Sequence, residues 1–176
     1  YESYVFGQKS YNGVAILSRF PIEKTSYQDW VGKGDCRHIV AQIKGINIHN
    51  IYLPAGGDIP DRDENIKFGH KLDFVSEVTE YFEQNKPAKS VLVGDLNIAP
   101  LAEDVWSTKQ LRNVVSHTKI ERENLIAMQE RGGWVDAVRD FFGVDKILYS
   151  WWSYRARDYI SSNRGRRLDH VWTSTD

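Results

Sequence analysis

Arg37-His38-Ile39-Val40-Ala41-Gln42-Ile43-Lys44-Gly45-Ile46-Asn47-Ile48-His49-Asn50-Ile51-Tyr52-Leu53 is the stretch on which the fold turns. Two β-rich runs flank a two-residue link that contains glycine. That pattern predicts a hairpin, because a turn this tight needs residues that tolerate positive φ. In the second run Ile46, Ile48, Asn50 and Tyr52 share one face, while Asn47, His49, Ile51 and Leu53 share the other. Apolar residues on both faces predict an inner strand covered on each side. Pro54-Ala55-Gly56-Gly57 then breaks it.

Beyond that break, Ile66, Phe68, Leu72, Val75, Val78 and Phe82 recur at helical spacing between Asp63 and Gln84, and Asn85-Lys86-Pro87 stops the helix. Ser90-Val91-Leu92-Val93-Gly94-Asp95 reads as the next strand, so the middle of the chain runs strand, strand, helix, strand. Upstream, Tyr11-Asn12-Gly13 marks a turn before a strand over Val14-Ala15-Ile16-Leu17-Ser18, and residues 22–36 read as a loop with a short edge strand. Downstream, a short helix is expected over 101–107. A second, from Glu121 to Arg131, is entered through Ser116-His117-Thr118 and ended by Gly132-Gly133. Trp134 to Phe142 adds a helical turn or two, and strands are expected over Ile147–Trp152 and Arg167–Trp172. A hairpin among irregularly alternating strands and helices indicates an α+β layered sandwich with mixed sheets, in one domain spanning residues 1–176.

The 176 residues, 41% of them apolar, suffice for one substantial core. A net charge of −1 gives no whole-chain attraction to nucleic acid, so any basic surface must be local. The single cysteine, Cys36, rules out an internal disulfide and fits a reducing, cytoplasmic setting. No apolar run approaches the roughly 20 residues that span a bilayer.

Asp95 and Asn97 stand two positions apart at a strand end. If strand geometry persists past Gly94, both project to one side, where a carboxylate and a carboxamide can hold a hard cation or a water near a phosphate. An ordinary strand-to-turn junction uses the same residue types. Tyr52, at a strand end before a glycine-rich break, is placed either to aim its hydroxyl into a cleft or simply to pack. Arg155, Arg157, Arg164, Arg166 and Arg167 crowd one loop against a single acid, Asp158, with Tyr149, Trp151, Trp152, Tyr154 and Tyr159 around them. Arginine interleaved with aromatics suits a phosphate backbone with bases to stack on, and also suits a solvated loop beside core tryptophans. Asp169 lies in an apolar strand beside His170, where burial demands a partner, either a salt bridge or a catalytic group. His38, His49, His70 and His117 lack metal-binding spacing.

Taken together, Asn12-Gly13-Val14-Ala15-Ile16-Leu17-Ser18, Asn50-Ile51-Tyr52-Leu53-Pro54, Val93-Gly94-Asp95-Leu96-Asn97-Ile98-Ala99-Pro100, Tyr149-Ser150-Trp151-Trp152-Ser153-Tyr154-Arg155 and Asn163-Arg164-Gly165-Arg166-Arg167-Leu168-Asp169-His170 resemble the exonuclease III branch of the endonuclease/exonuclease/phosphatase superfamily. The resemblance covers nearly the whole chain. It implies a four-layer α/β/β/α sandwich with two mixed sheets, here incomplete. It also implies a nuclease dependent on Mg2+ or Mn2+ that acts in base-excision repair on double-stranded DNA, at abasic sites and 3′ ends, as a monomer of bacterial cytoplasmic type. Catalytic roles would fall to Tyr52, Asp95, Asn97 and Asp169, with Asp95 and Asn97 at the metal and Trp151, Arg155, Asn163 and Arg164 along the DNA.

The departures concern the ends. The family's Gln-Glu element, whose Glu is the main metal ligand, and its Ser-Asp-His element do not occur in this sequence. Tyr1 falls past the first and Asp176 before the second, so the segment reads as the central piece of such a domain and is expected to be catalytically incomplete alone. His170 follows Asp169 in a different element and is no substitute, and Ala55 replaces an amide that relatives often carry. A non-catalytic DNA-binding module and a phosphatase for small phosphate esters are the competing expectations.

Overall fold

A computed structural model describes residues 1–154 and 157–176. A six-stranded mixed sheet carries β3 (Lys24–Ser26), β4 (His38–Ile43), β5 (Ile46–Ile51), β6 (Ser90–Asp95), β7 (Val135–Asp136) and β10 (Asp169–Thr173), in the order β3-β4-β5-β6-β10-β7. One face is covered by α1 (Ile66–Gln84) and α3 (Lys119–Gly132), and the other by a ribbon of β1 (Glu2–Gly7) and β2 (Gly13–Ser18). The α+β sandwich is as expected, with helix, sheet and ribbon as its layers among the described residues. Short elements complete it: α2 (Thr108–Leu111), α4 (Ala137–Phe142), α5 (Tyr159–Ser162) and the pair β8 (Trp151–Trp152) and β9 (Gly165–Arg166).

The hairpin forms as predicted. Lys44 and Gly45 take φ of 51° and 74°, and β4 pairs antiparallel with β5 from His38↔Ile51 to Ile43↔Ile46. Both faces of β5 are covered. Ile51 and Leu53 join Phe74, Val75, Val78, Phe82 and Trp172 under the helices. Ile48 and Tyr52 join Val14, Ile16, Ile39 and Ala41 under the ribbon. Helix α1 then crosses over so that β6 pairs parallel with β5, the connection a parallel pair requires. Asn65 caps the helix by accepting from the Lys67 N–H at 3.1 Å. Ile66, expected on the core face, is 80% exposed, while Phe74, outside the expected set, is buried to 2%.

Other differences are local. Strand structure in the Ile147–Trp152 run is confined to Trp151–Trp152, and the strand expected over Arg167–Trp172 begins only at Asp169 as β10, with β9 ending just before Arg167. The cause lies in Arg167, which is buried to 2%. Its guanidinium reaches Asp104 at 2.6 Å and Asp136 at 2.8 Å, and Arg139 also pairs with Asp104. A buried arginine satisfied by two carboxylates is a structural clamp, so Arg167 is removed from the basic surface that its loop suggested.

Candidate active site

The parallel strands β5 and β6 end together, and β10 starts beside them. Gly94 sets how closely they meet: at φ of 140°, a Cβ built there would lie 1.9 Å from the Ile51 carbonyl oxygen. Only glycine admits that approach. Just beyond, the Leu53 N–H donates to the Asp95 carbonyl at 2.9 Å. Strand geometry does not persist to Asn97, contrary to the expectation from alternation. Asn97 is left-handed at φ of 51°, and its N–H donates to Asp95 Oδ1 at 2.9 Å. Its Nδ2 donates to the Leu53 carbonyl at 2.8 Å. Asp95 and Asn97 are thus brought together by a side-chain-closed turn, and that turn is tied to the exit of β5.

Asp169 faces Asp95 across the antiparallel β10–β6 pair. The sequence setting suggested a buried carboxylate, but Asp169 is exposed. Leu168 and His170 point inward at 5% and 1% exposure, so alternation turns Asp169 out. Burial pushes the Asp95 carboxyl up to about 6; the Asn97 N–H opposes this, the charge of Asp169 adds to the rise, and Lys71 offsets part of it. Two carboxylates meeting at one strand end is the arrangement this sheet offers for chemistry.

Tyr52 follows β5 and packs half-buried under the ribbon, with the Arg37 guanidinium 5.0 Å from its ring centroid. Arg37 also donates to the Tyr52 carbonyl at 3.2 Å and to Asp35 at 2.8 Å. His70 contacts the same Asp35 oxygen at 2.8 Å. Burial would raise the Asp35 carboxyl, but hydrogen bonds from Arg37 and His70 bring it below its ordinary value. Sequence reasoning missed this support around Tyr52, because Asp35, Arg37 and His70 converge only after α1 docks.

A cleft of about 330 Å³ lies between Trp106, Leu111, Trp151, Trp152, Arg164 and Arg166. Arg164 stacks 4.7 Å from the centroid of Trp106, and Arg166 lies 5.6 Å from that of Trp151. Asn163, left-handed at φ of 42°, accepts from Trp152 Nε1 at 3.0 Å. Trp151, Asn163 and Arg164 are therefore brought to one basic, aromatic wall; Arg155 lies outside the described residues. The wall is joined to the carboxylates through Ser150, whose Oγ accepts from the N–H groups of Leu168 and Asp169, both at 3.0 Å. Arg166, one of the arginines of that loop, lines the same wall, and Trp106 is an additional member that spacing did not reveal.

A model of the Endonuclease/Exonuclease/phosphatase family matches residues 1–176. The chain is similar to an exodeoxyribonuclease from Bacillus subtilis (strain 168), at 29% identity over 95% of this chain and 65% of the relative. Among solved structures, it resembles an AP endonuclease from Archaeoglobus fulgidus with a TM-score of 0.88 and 30% identity, over 98% of this chain and 66% of that one. It also resembles a 3′ phosphatase from Neisseria bound to a product DNA hairpin, with a TM-score of 0.87 and 26% identity, over 99% and 66%. The chain thus spans somewhat less than two thirds of the length of these relatives.

Proposed function

This chain belongs to the Endonuclease/Exonuclease/phosphatase family, and from that premise we propose that the protein hydrolyses DNA phosphodiesters with Mg2+ or Mn2+ in base-excision repair. It acts on duplex DNA at abasic sites and at 3′ ends. The observation that carries the reading is the pairing of Asp95 with Asp169 at a strand end, beside the exit to Tyr52 and joined through Ser150 to the Trp151–Arg166 wall. Arginine and aromatic groups hold a phosphate backbone and its bases next to the carboxylates. Asp95 would help to orient or deprotonate the attacking water at this strand end. Tyr52 is held beside the scissile phosphate by Arg37.

The donor set fits a hard divalent cation. Two carboxylates face each other, and Asn97 commits its amide nitrogen to Leu53, which leaves its oxygen as a further hard donor. Among the described residues no group of three or more His, Cys, Asp or Glu converges, so Asp95, Asn97 and Asp169 would hold the cation together with phosphate and water oxygens. When bound, the cation neutralises charge on the phosphate and the leaving oxygen.

The test is cleavage by the full-length protein of a duplex with one abasic site, and of a duplex with a recessed 3′ end, in Mg2+ and in EDTA, with residues 1–176 alone expected to be inactive. Cation-dependent cleavage is expected, reduced about 100-fold or more in Asp95→Asn and Asp169→Asn. Cleavage that persists in EDTA, or that neither substitution affects, would sink the assignment. Salt-dependent duplex binding without cleavage would instead support a non-catalytic DNA-binding module.

A further inference from the structure

Three successive backbone carbonyls follow the Asp95 turn, and a different buried side chain donates to each. Lys71 Nζ donates to the Asn97 carbonyl at 2.9 Å, His170 Nε2 to Ile98 at 2.9 Å, and His117 Nδ1 to Ala99 at 2.7 Å. All three side chains are fully or nearly fully buried. Lys71 stands out because its ammonium has two further acceptors, the Ala55 carbonyl at 3.2 Å and Glu121 Oε1 at 2.5 Å. An ammonium has three donors, and each finds a partner on a different segment.

Those segments are the ones that bear the site. Ala55 lies three residues after Tyr52, Asn97 closes the turn on Asp95, and Glu121 sits in the first turn of α3. Glu121 is itself fixed by the Ser116 N–H at 2.9 Å, the Thr118 N–H at 3.1 Å and the Thr118 hydroxyl at 2.6 Å. Gly56 makes room for the lysine stem, since a Cβ there would lie 2.8 Å from Lys71 Cδ. A lysine this deeply buried is costly unless paired and fully hydrogen-bonded, and nothing in the helix or sheet pattern requires one at that position. Resting on the phosphodiesterase reading above, we infer that Lys71, anchored by Glu121, is a positioning residue that locks the Tyr52 loop and the Asp95–Asn97 turn in one mutual geometry.

The experiment compares the wild-type full-length protein with Lys71→Met and with Lys71→Met/Glu121→Gln, the second of which leaves no unpaired buried charge. Abasic-duplex cleavage is measured with Mg2+, alongside amide exchange at Leu53 and Asn97. Expected for the folded double variant are a loss of about 10- to 100-fold in kcat, little change in KM, and faster exchange at both amides. A folded double variant with wild-type kcat and wild-type exchange overturns the inference. Should neither variant fold, the wild-type ammonium protons decide: slow solvent exchange of the Lys71 Nζ protons upholds the lock and fast exchange overturns it. If the wild-type protein cleaves none of the substrates, the hydrolase reading falls. Exchange at Leu53 and Asn97 then judges the lock alone, with acceleration upholding it and no change overturning it.

Discussion

Replacing Asp95 by asparagine should make the protein more stable while removing its chemistry. In the folded chain the Asp95 carboxyl is pushed up to about 6 from the ordinary 3.8, by burial first and then by the Asn97 N–H, Asp169 and Lys71 acting in opposing senses. A carboxyl raised on folding favours the fold only while protonated, so its ionisation destabilises the native state as pH rises through about 6. The full gap corresponds to about 3 kcal/mol at neutral pH. Partial exposure of the carboxylate reduces this to roughly 1–2 kcal/mol. Asparagine keeps an acceptor for the Asn97 N–H and carries no charge. In EDTA at pH 7.5 the Asp95→Asn melting temperature should therefore rise by about 2–8 °C. Near pH 4.5 the gain should shrink to about a third, since the wild-type carboxyl is then largely protonated in the fold. Differential scanning calorimetry at the two pH values measures both. A less stable variant, or an equal gain at both pH values, would refute the electrostatic account of this end of the sheet.

Gly94→Ala should unfold or severely destabilise the chain, by about 3 kcal/mol or more, because the added methyl meets the Ile51 carbonyl oxygen; urea denaturation gives the value. His38 Nδ1 accepts from the Gln28 N–H and its Nε2 lies 3.2 Å from His49 Nδ1. Burial lowers the two to about 3 and about 4, with the charge of His49 adding to the effect on His38. Stability present above pH 6.5 should be lost as pH falls toward 4, by about 2 kcal/mol per histidine at pH 5, and urea midpoints at pH 7 and 5 report it. Asp104→Ala removes the carboxylate that pairs with Arg139 and leaves Arg167 with Asp136 alone, and should cost about 3–5 kcal/mol, read from the same denaturation curves. Trp151→Ala with Arg164→Ala should weaken duplex binding, and loss of the one charge should lower the salt slope by about 1, read by fluorescence anisotropy across ionic strengths.

Local chemistry made the secondary structure readable. The Lys44-Gly45 turn, the two-faced β5 and the Gly133 stop each depend on a few neighbouring residues, and each appears where the sequence indicates. The residue types of the candidate site were legible, and Asp95, Asn97 and Asp169 gather at one end of the sheet, with Tyr52 at the exit of the neighbouring strand. Their manner of meeting was not legible. Alternation predicted a shared face for Asp95 and Asn97, whereas Gly94 and the positive φ of Asn97 replace the strand with a turn. Asp169 looked buried because its neighbours are apolar, yet those neighbours take the inward positions. The Lys71–Glu121 and Arg167–Asp104–Asp136 pairs were invisible because they join residues far apart in sequence, and a lysine on an amphipathic helix is ordinarily a solvent-facing residue.

The register that sets Asp169 opposite Asp95 also has a temporal side. Strands β5 and β6 are joined through α1, so they can pair as soon as that helix collapses onto them. Strand β10 lies much further along the sequence and must close a much longer loop to dock against β6, and contacts of that kind form late because chain entropy opposes them. A nascent or partly folded polypeptide would hold Asp95 without its opposite carboxylate. The proposed site would then stay unassembled until β10 docks, whatever the state of the strands made before it.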